Sequence, residues 1–189
     1  MRTINVLIIA FLMLLSAGIT GANTILVDAS RDGGVWWFPQ KDVFDPDQPH
    51  QGKALADYFR SIGYRVDELP RPTRITLDLL AGYNLVIRAN EHGEGYSDSE
   101  ISAYHDYVTS GGSLLLLADY IRQGWHDSLG ESFGIVFQGV SLGENVMDTF
   151  ETHPITEGVM PMPYGVGSGI LDHPDSASIL RLSLRKYLS

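Results

Sequence analysis

Residues 97–120, SDSEISAYHDYVTSGGSLLLLADY, decide the fold. Ser97 followed by Glu100 has capping-box spacing: the serine hydroxyl accepts from the third helical amide while the glutamate reaches back to the serine amide. Ile101, Tyr104 and Val108 then fall on one helical face, and Gly111-Gly112 supplies the stop. Leu114 to Leu117 show no polar alternation, which predicts a central strand buried on both faces. Asp119 and Tyr120 follow at its carboxyl end, where an open α/β sheet builds its ligand crevice.

The flanking sequence repeats the pattern. Thr24 to Asp28 is a β-rich run that ends in a carboxylate and leads into a polar loop reaching about Pro49. Ala54, Leu55, Tyr58, Phe59 and Ile62 predict a helix over 50–62, stopped by Gly63, with a strand over 64–69. A short helix over 76–81 and a strand over 84–89 follow. Past Gly124 the pattern weakens to a helical piece over 125–133, a strand over 135–138 and strands near 166–171 and 178–182. Alternating strands and helices at this pace give right-handed βαβ units, hence a parallel sheet covered on both faces in one domain over 23–189.

Residues 1–22 read as a secretory signal peptide: Arg2 is the only charge, Val6 to Leu15 is apolar, and Ser16 to Ala22 is small and weakly polar. Cleavage after Ala22 leaves no membrane insertion; the alternative is an uncleaved anchor over residues 6–22. Either reading places the domain outside the cytoplasm, periplasmic or secreted. The absence of cysteine excludes disulfides, thiolate catalysis and cysteine metal sites. A formal charge of -10 with no run of Lys and Arg argues against nucleic acid.

The residues just past each strand are the candidate site. They are Asp28, Arg31, Asp32, Trp36, Trp37 and His50; Asn90, Glu91, His92 and Glu94; and Asp119, Tyr120, Arg122, Trp125 and His126. All three tryptophans lie in these loops, and exposed aromatic platforms suit sugars or apolar ligands. A lid packed on its own core explains them equally well. His50, Glu91, His92, Asp119 and His126 offer nitrogen and oxygen ligands, with His92, Asp119 and His126 as weak metal candidates, but their spacing matches no metal motif. Gly93-Glu94-Gly95 fails as a dinucleotide loop because Asp98 holds the third glycine position and Glu91 and Glu94 oppose a pyrophosphate. Gly167-Ser168-Gly169 fails as a nucleophile elbow because Val166 and Ile170 replace the required glycines. No cofactor is expected.

The stretches ILVDAS (25–30), GKALADYFRSIGYRVDEL (52–69), LLAGYNLVIRAN (79–90), YSDSEISAYHDYVTSGGSLLLLAD (96–119) and HPITEGV (153–159) resemble the class I glutamine amidotransferase-like superfamily. The closer likeness is to branches without amidotransferase activity: extracytoplasmic uncharacterised domains, ThuA-like proteins, and the amino-terminal domains of gliding-motility and intraflagellar-transport proteins. The resemblance implies a flavodoxin-like three-layer α/β/α sandwich with a mainly parallel central sheet. In the catalytic members a cysteine occupies the turn that reads Ala118-Asp119-Tyr120 here, so the resemblance excludes amidotransfer. His153, before Pro154, is expected to help fix the chain's return to the sheet.

These observations lead to a non-catalytic domain that binds a small ligand, with carbohydrate suited to the aromatic loops, or a protein partner at the strand ends. The alternative is a hydrolase or metal-assisted sugar-processing enzyme using Asp28, Glu91, His92, Asp119 and His126. Convergence of three of these on one point, free of backbone hydrogen bonds, favours the enzyme; their use as caps disfavours it.

Overall fold

The computed structural model describes residues 23–31, 52–91, 93–118, 126–141, 145–150, 152, 157–164, 168–172, 174 and 182–186. Its first half is β1 (Thr24–Asp28), α1 (Lys53–Ser61), β2 (Arg65–Leu69), α2 (Leu77–Leu80), β3 (Leu85–Arg88), α3 (Asp98–Thr109) and β4 (Ser113–Leu116). The four strands pair in parallel in the order β2-β1-β3-β4, with Leu26 opposite both Asp67 and Val86. This order is flavodoxin-like. Side chains alternate across the sheet: Ile25, Val27 and Ile87 meet Ala56 of α1 on one face. Leu26 and Val86 meet Leu80 of α2 and Ala103, Tyr104 and Tyr107 of α3 on the other, which completes three layers.

Two packing expectations need correction. Among the described residues β4 pairs only with β3, and Leu115 is 44% exposed while Leu114 and Leu116 pack on the α3 side and Leu117 on the α1 side. A leucine run promises two covered faces throughout; here the α1 face is covered at Leu117 and open at Leu115. In α1 the helical period is right and Phe59 packs on the core as expected, but small Ala56 makes the fully buried contact with the sheet, whereas Tyr58 and Ile62 are 59% and 52% exposed.

Beyond β4 the parallel pattern stops. Helix α4 (Ser128–Ser132) is shorter than the expected piece, and Asp127 caps it by accepting from Gly130 N at 2.7 Å. Strand β5 (Val136–Ser141) pairs antiparallel with β8 (Ser168–Asp172). Strand β6 (Asn145–Phe150) lies antiparallel between β7 (Met162–Tyr164) and β9 (Leu182–Lys186). β6 and β7 are additional to the sequence reading, and β9 begins where a strand was expected to end. No helix among the described residues is long and apolar enough to cross a membrane.

The α3–β4 junction is built as the sequence implies. Glu100 accepts from Ser97 N at 3.0 Å at the start of α3, and Gly111 takes φ +97° after its end. Gly112 is needed for space: a Cβ there would lie 2.3 Å from the ring of Tyr107, whose hydroxyl donates to the carbonyls of Tyr83 (3.1 Å) and Ser113 (3.3 Å). Gly112→Ala is expected to displace that ring and cost about 2–3 kcal/mol in urea unfolding. An unchanged midpoint would show that the junction tolerates the methyl group.

Candidate functional site

Strands β1 and β3 are apolar up to their last residues, Asp28 and Arg88, which are register partners and buried. A buried carboxylate must find its hydrogen bonds inside the protein. Asp28 Oδ1 accepts from Ser30 N at 2.8 Å, and Oδ2 accepts from the Tyr96 hydroxyl at 2.7 Å and from the Tyr104 hydroxyl. The two rings meet edge to face, with centroids 5.6 Å apart. Burial, then the Asp28 charge, push both phenols well above their ordinary range, so they stay protonated donors.

Arg88 Nη2 pairs with Asp127 Oδ2 at 2.5 Å. Burial works against the guanidinium's charge, but Asp127 first, then other nearby acidic groups, outweigh it and raise its pKa. Arg88 Nε and Nη1 have no partner among the described residues, so the pair repays only part of its desolvation. Because the other oxygen of Asp127 caps α4, this one carboxylate ties the end of β3 to that helix. Glu91 does the same from the next loop, accepting from Ser128 N at 3.0 Å and Leu129 N at 3.3 Å. Its burial still lifts its pKa above the ordinary glutamate value, despite the opposing hydrogen bonds from Ser128.

Beside this buried layer lies a cavity of about 420 Å³ at the carboxyl ends of the first three strands. Ser30 and Arg31 line it from the β1 turn, Arg71 and Arg74 from the loop after β2, and Glu94, Ser97 and Glu100 from the approach to α3. Arg31 grips both oxygens of Glu100 at 2.9 and 3.0 Å, and its guanidinium carbon sits 5.2 Å from the Tyr96 ring centre. Glu100 also accepts from Ile75 N at 3.0 Å. Burial raises the pKa of Glu100, but the Ile75 and Ser97 hydrogen bonds and the Arg31 charge together win and leave it below the ordinary value.

Of the residues singled out from sequence, Asp32, Trp36, Trp37, His50, His92, Asp119, Tyr120, Arg122 and Trp125 lie outside the described residues, as does His153. Of the described ones, Arg31 and Glu94 line the cavity, whereas Asp28, Glu91 and His126 are put to three separate uses. Asp28 holds two tyrosines, Glu91 holds α4, and His126 is exposed with Nδ1 2.9 Å from Glu131. Among the described residues no three His, Asp or Glu side chains form a metal-ligating group. Sequence reasoning missed Arg88, Tyr96, Tyr104 and Asp127. It also missed Arg71 and Arg74, although two arginines spaced three apart in a short loop after β2 were a usable signal.

No protein-family model and no curated protein sequence matches the chain. Solved structures share its architecture, among them the following two. An "mmIFT52 N-terminal domain" is 20% identical with a TM-score of 0.62, the match covering 83% of this chain and 72% of that one. A putative ThuA-like protein from Bacteroides uniformis is 15% identical with a TM-score of 0.52, covering 85% and 67%. At these identities the likeness establishes the flavodoxin-like α/β fold.

The lowered pKa of Glu100 gives a pH test. A carboxylate with a depressed folded pKa contributes stability that is complete above its unfolded value and lost as pH falls through the folded one. Glu100→Gln is therefore expected to be less stable than the wild type at neutral pH, with the gap closing as pH falls below the ordinary glutamate range. Denaturant unfolding across that range checks it, and a gap independent of pH would contradict the assigned charge.

Proposed function

We propose that this chain is an extracytoplasmic, non-catalytic binding domain of the glutamine amidotransferase-like type. Its site is the strand-end cavity, which takes a small ligand, a carbohydrate suiting it best. The observation that carries this reading is how the strand-end carboxylates are used. Asp28, Glu91, Asp127 and Glu100 all accept hydrogen bonds that hold the fold, which leaves none of the four poised as base or nucleophile. The remaining 420 Å³ is in the range of small-molecule sites and accommodates a monosaccharide. The cysteine-free sequence Ala118-Asp119-Tyr120 and the leader-like residues 1–22 support the non-amidotransferase and extracytoplasmic parts.

A protein-binding role is the second reading. Leu55 and Tyr58 on α1 and Ile62 at its carboxyl-terminal cap, spaced by three and four, form an exposed apolar row suited to a partner surface.

The cavity reading is tested by thermal unfolding against a panel of neutral and acidic monosaccharides, for the wild type and for Glu94→Trp, whose indole would fill the cavity from an exposed position. At least one sugar is expected to raise the wild-type Tm by several degrees, and the variant is expected to lose that rise. A panel without effect, or a rise that survives the substitution, would contradict it.

A further inference from the structure

Resting on the strand-end cavity as the binding site, we infer that its ligand is an acidic sugar, with a carboxylate or phosphate group held by Arg74. The chain carries a formal charge of -10, yet three of its 13 Lys and Arg side chains line this single cavity. Two glutamates face them, and Glu100 is already committed to Arg31. Arg74, by contrast, is a cation lining this cavity with no carboxylate committed to it among the described residues. Guanidinium groups match the planar, two-oxygen geometry of carboxylate and phosphate, which neutral sugars lack.

The loop that presents Arg74 is held in place. Thr73 donates to the Pro70 carbonyl through its amide at 3.0 Å and its hydroxyl at 2.6 Å. Arg31 Nη1 donates to the Thr73 carbonyl at 3.4 Å, and Ile75 N donates to Glu100 at 3.0 Å. Arg31 thus positions the loop and is spent on it. Arg74 is exposed and makes no ion pair or hydrogen bond among the described residues. A loop whose backbone is already held loses little backbone entropy when its arginine engages an anion, which makes the contact more favourable than one from an unanchored loop. Across the cavity, exposed Glu94 and Ser97 offer acceptors for hydroxyl groups, so the two sides ask for a ligand that is acidic at one end and hydroxylated at the other.

The test is calorimetric titration of the full chain with glucuronate, glucose 6-phosphate and glucose, on the wild type, Arg74→Gln and Glu94→Gln. Both substitutions are at exposed positions, and circular dichroism verifies folding. At least one acid is expected to bind about tenfold more tightly than glucose, with Arg74→Gln removing that advantage and Glu94→Gln strengthening acid binding about threefold. The acid that wins distinguishes carboxylate from phosphate. Glucose binding as tightly as both acids overturns the inference while leaving the cavity reading intact. Acid binding unchanged in Arg74→Gln places the anion elsewhere and overturns it, as does no binding of either acid up to about 10 mM, an affinity that a single charge-assisted contact should exceed.

Discussion

A carboxylate buried at the end of the first strand cannot rely on water, and Asp28 gathers its partners from three parts of the chain: the turn after β1 through Ser30, the loop before α3 through Tyr96, and α3 itself through Tyr104. Each partner is also constrained by the need it satisfies, since a buried phenol without an acceptor is costly. The carboxylate thereby fixes where α3 sits on the sheet. From that placement follow the position of Glu100, the grip of Arg31 and the floor of the cavity.

The neighbouring strand uses the same device with opposite charge. Arg88 and Asp127 are almost fully buried, and removing one partner of such a pair strands the other at a cost of about 3–5 kcal/mol. Replacing both with apolar groups can be neutral, so the pair is better understood as a choice of geometry than as a reserve of stability. It specifies where α4 docks, and Glu91 repeats the instruction from the adjacent loop. Polar strand ends here organise the layer on which a ligand can rest.

Local signals carried the first half of the fold into the sequence. The Ser97–Glu100 spacing, the glycines that stop α1 and α3, and the apolar runs of β1 and β3 each follow from backbone chemistry within a few residues. Leu114 to Leu116 misled because an apolar strand states its own hydrophobicity and not whether a second neighbour covers it. α1 misled in part because Ala56, the weakest hydrophobic signal on the helix, makes the close approach. The antiparallel strands after β4 depend on long-range pairing that no short window records. At the site, Asp28 and Glu91 were visible as strand-end acids, but their partners Tyr96, Tyr104 and Ser128 lie up to 76 residues away, so their structural use was hidden. The arginines of the cavity were legible as residues and illegible as a group until the pairing of β1 with β2 brought the two loops together.

Whether the strand-end acids hold the fold or serve chemistry is a question of stability, because residues kept for catalysis tend to be held at a cost and their removal often stabilises. The most direct measurement is denaturant unfolding of Asp28→Asn, Tyr104→Phe and the double variant. A structural carboxylate predicts that Asp28→Asn loses about 2–4 kcal/mol and that the double variant loses less than the sum, because the two side chains share one hydrogen bond. An Asp28→Asn variant as stable as the wild type, or more so, would contradict this account and return Asp28 to the list of catalytic candidates.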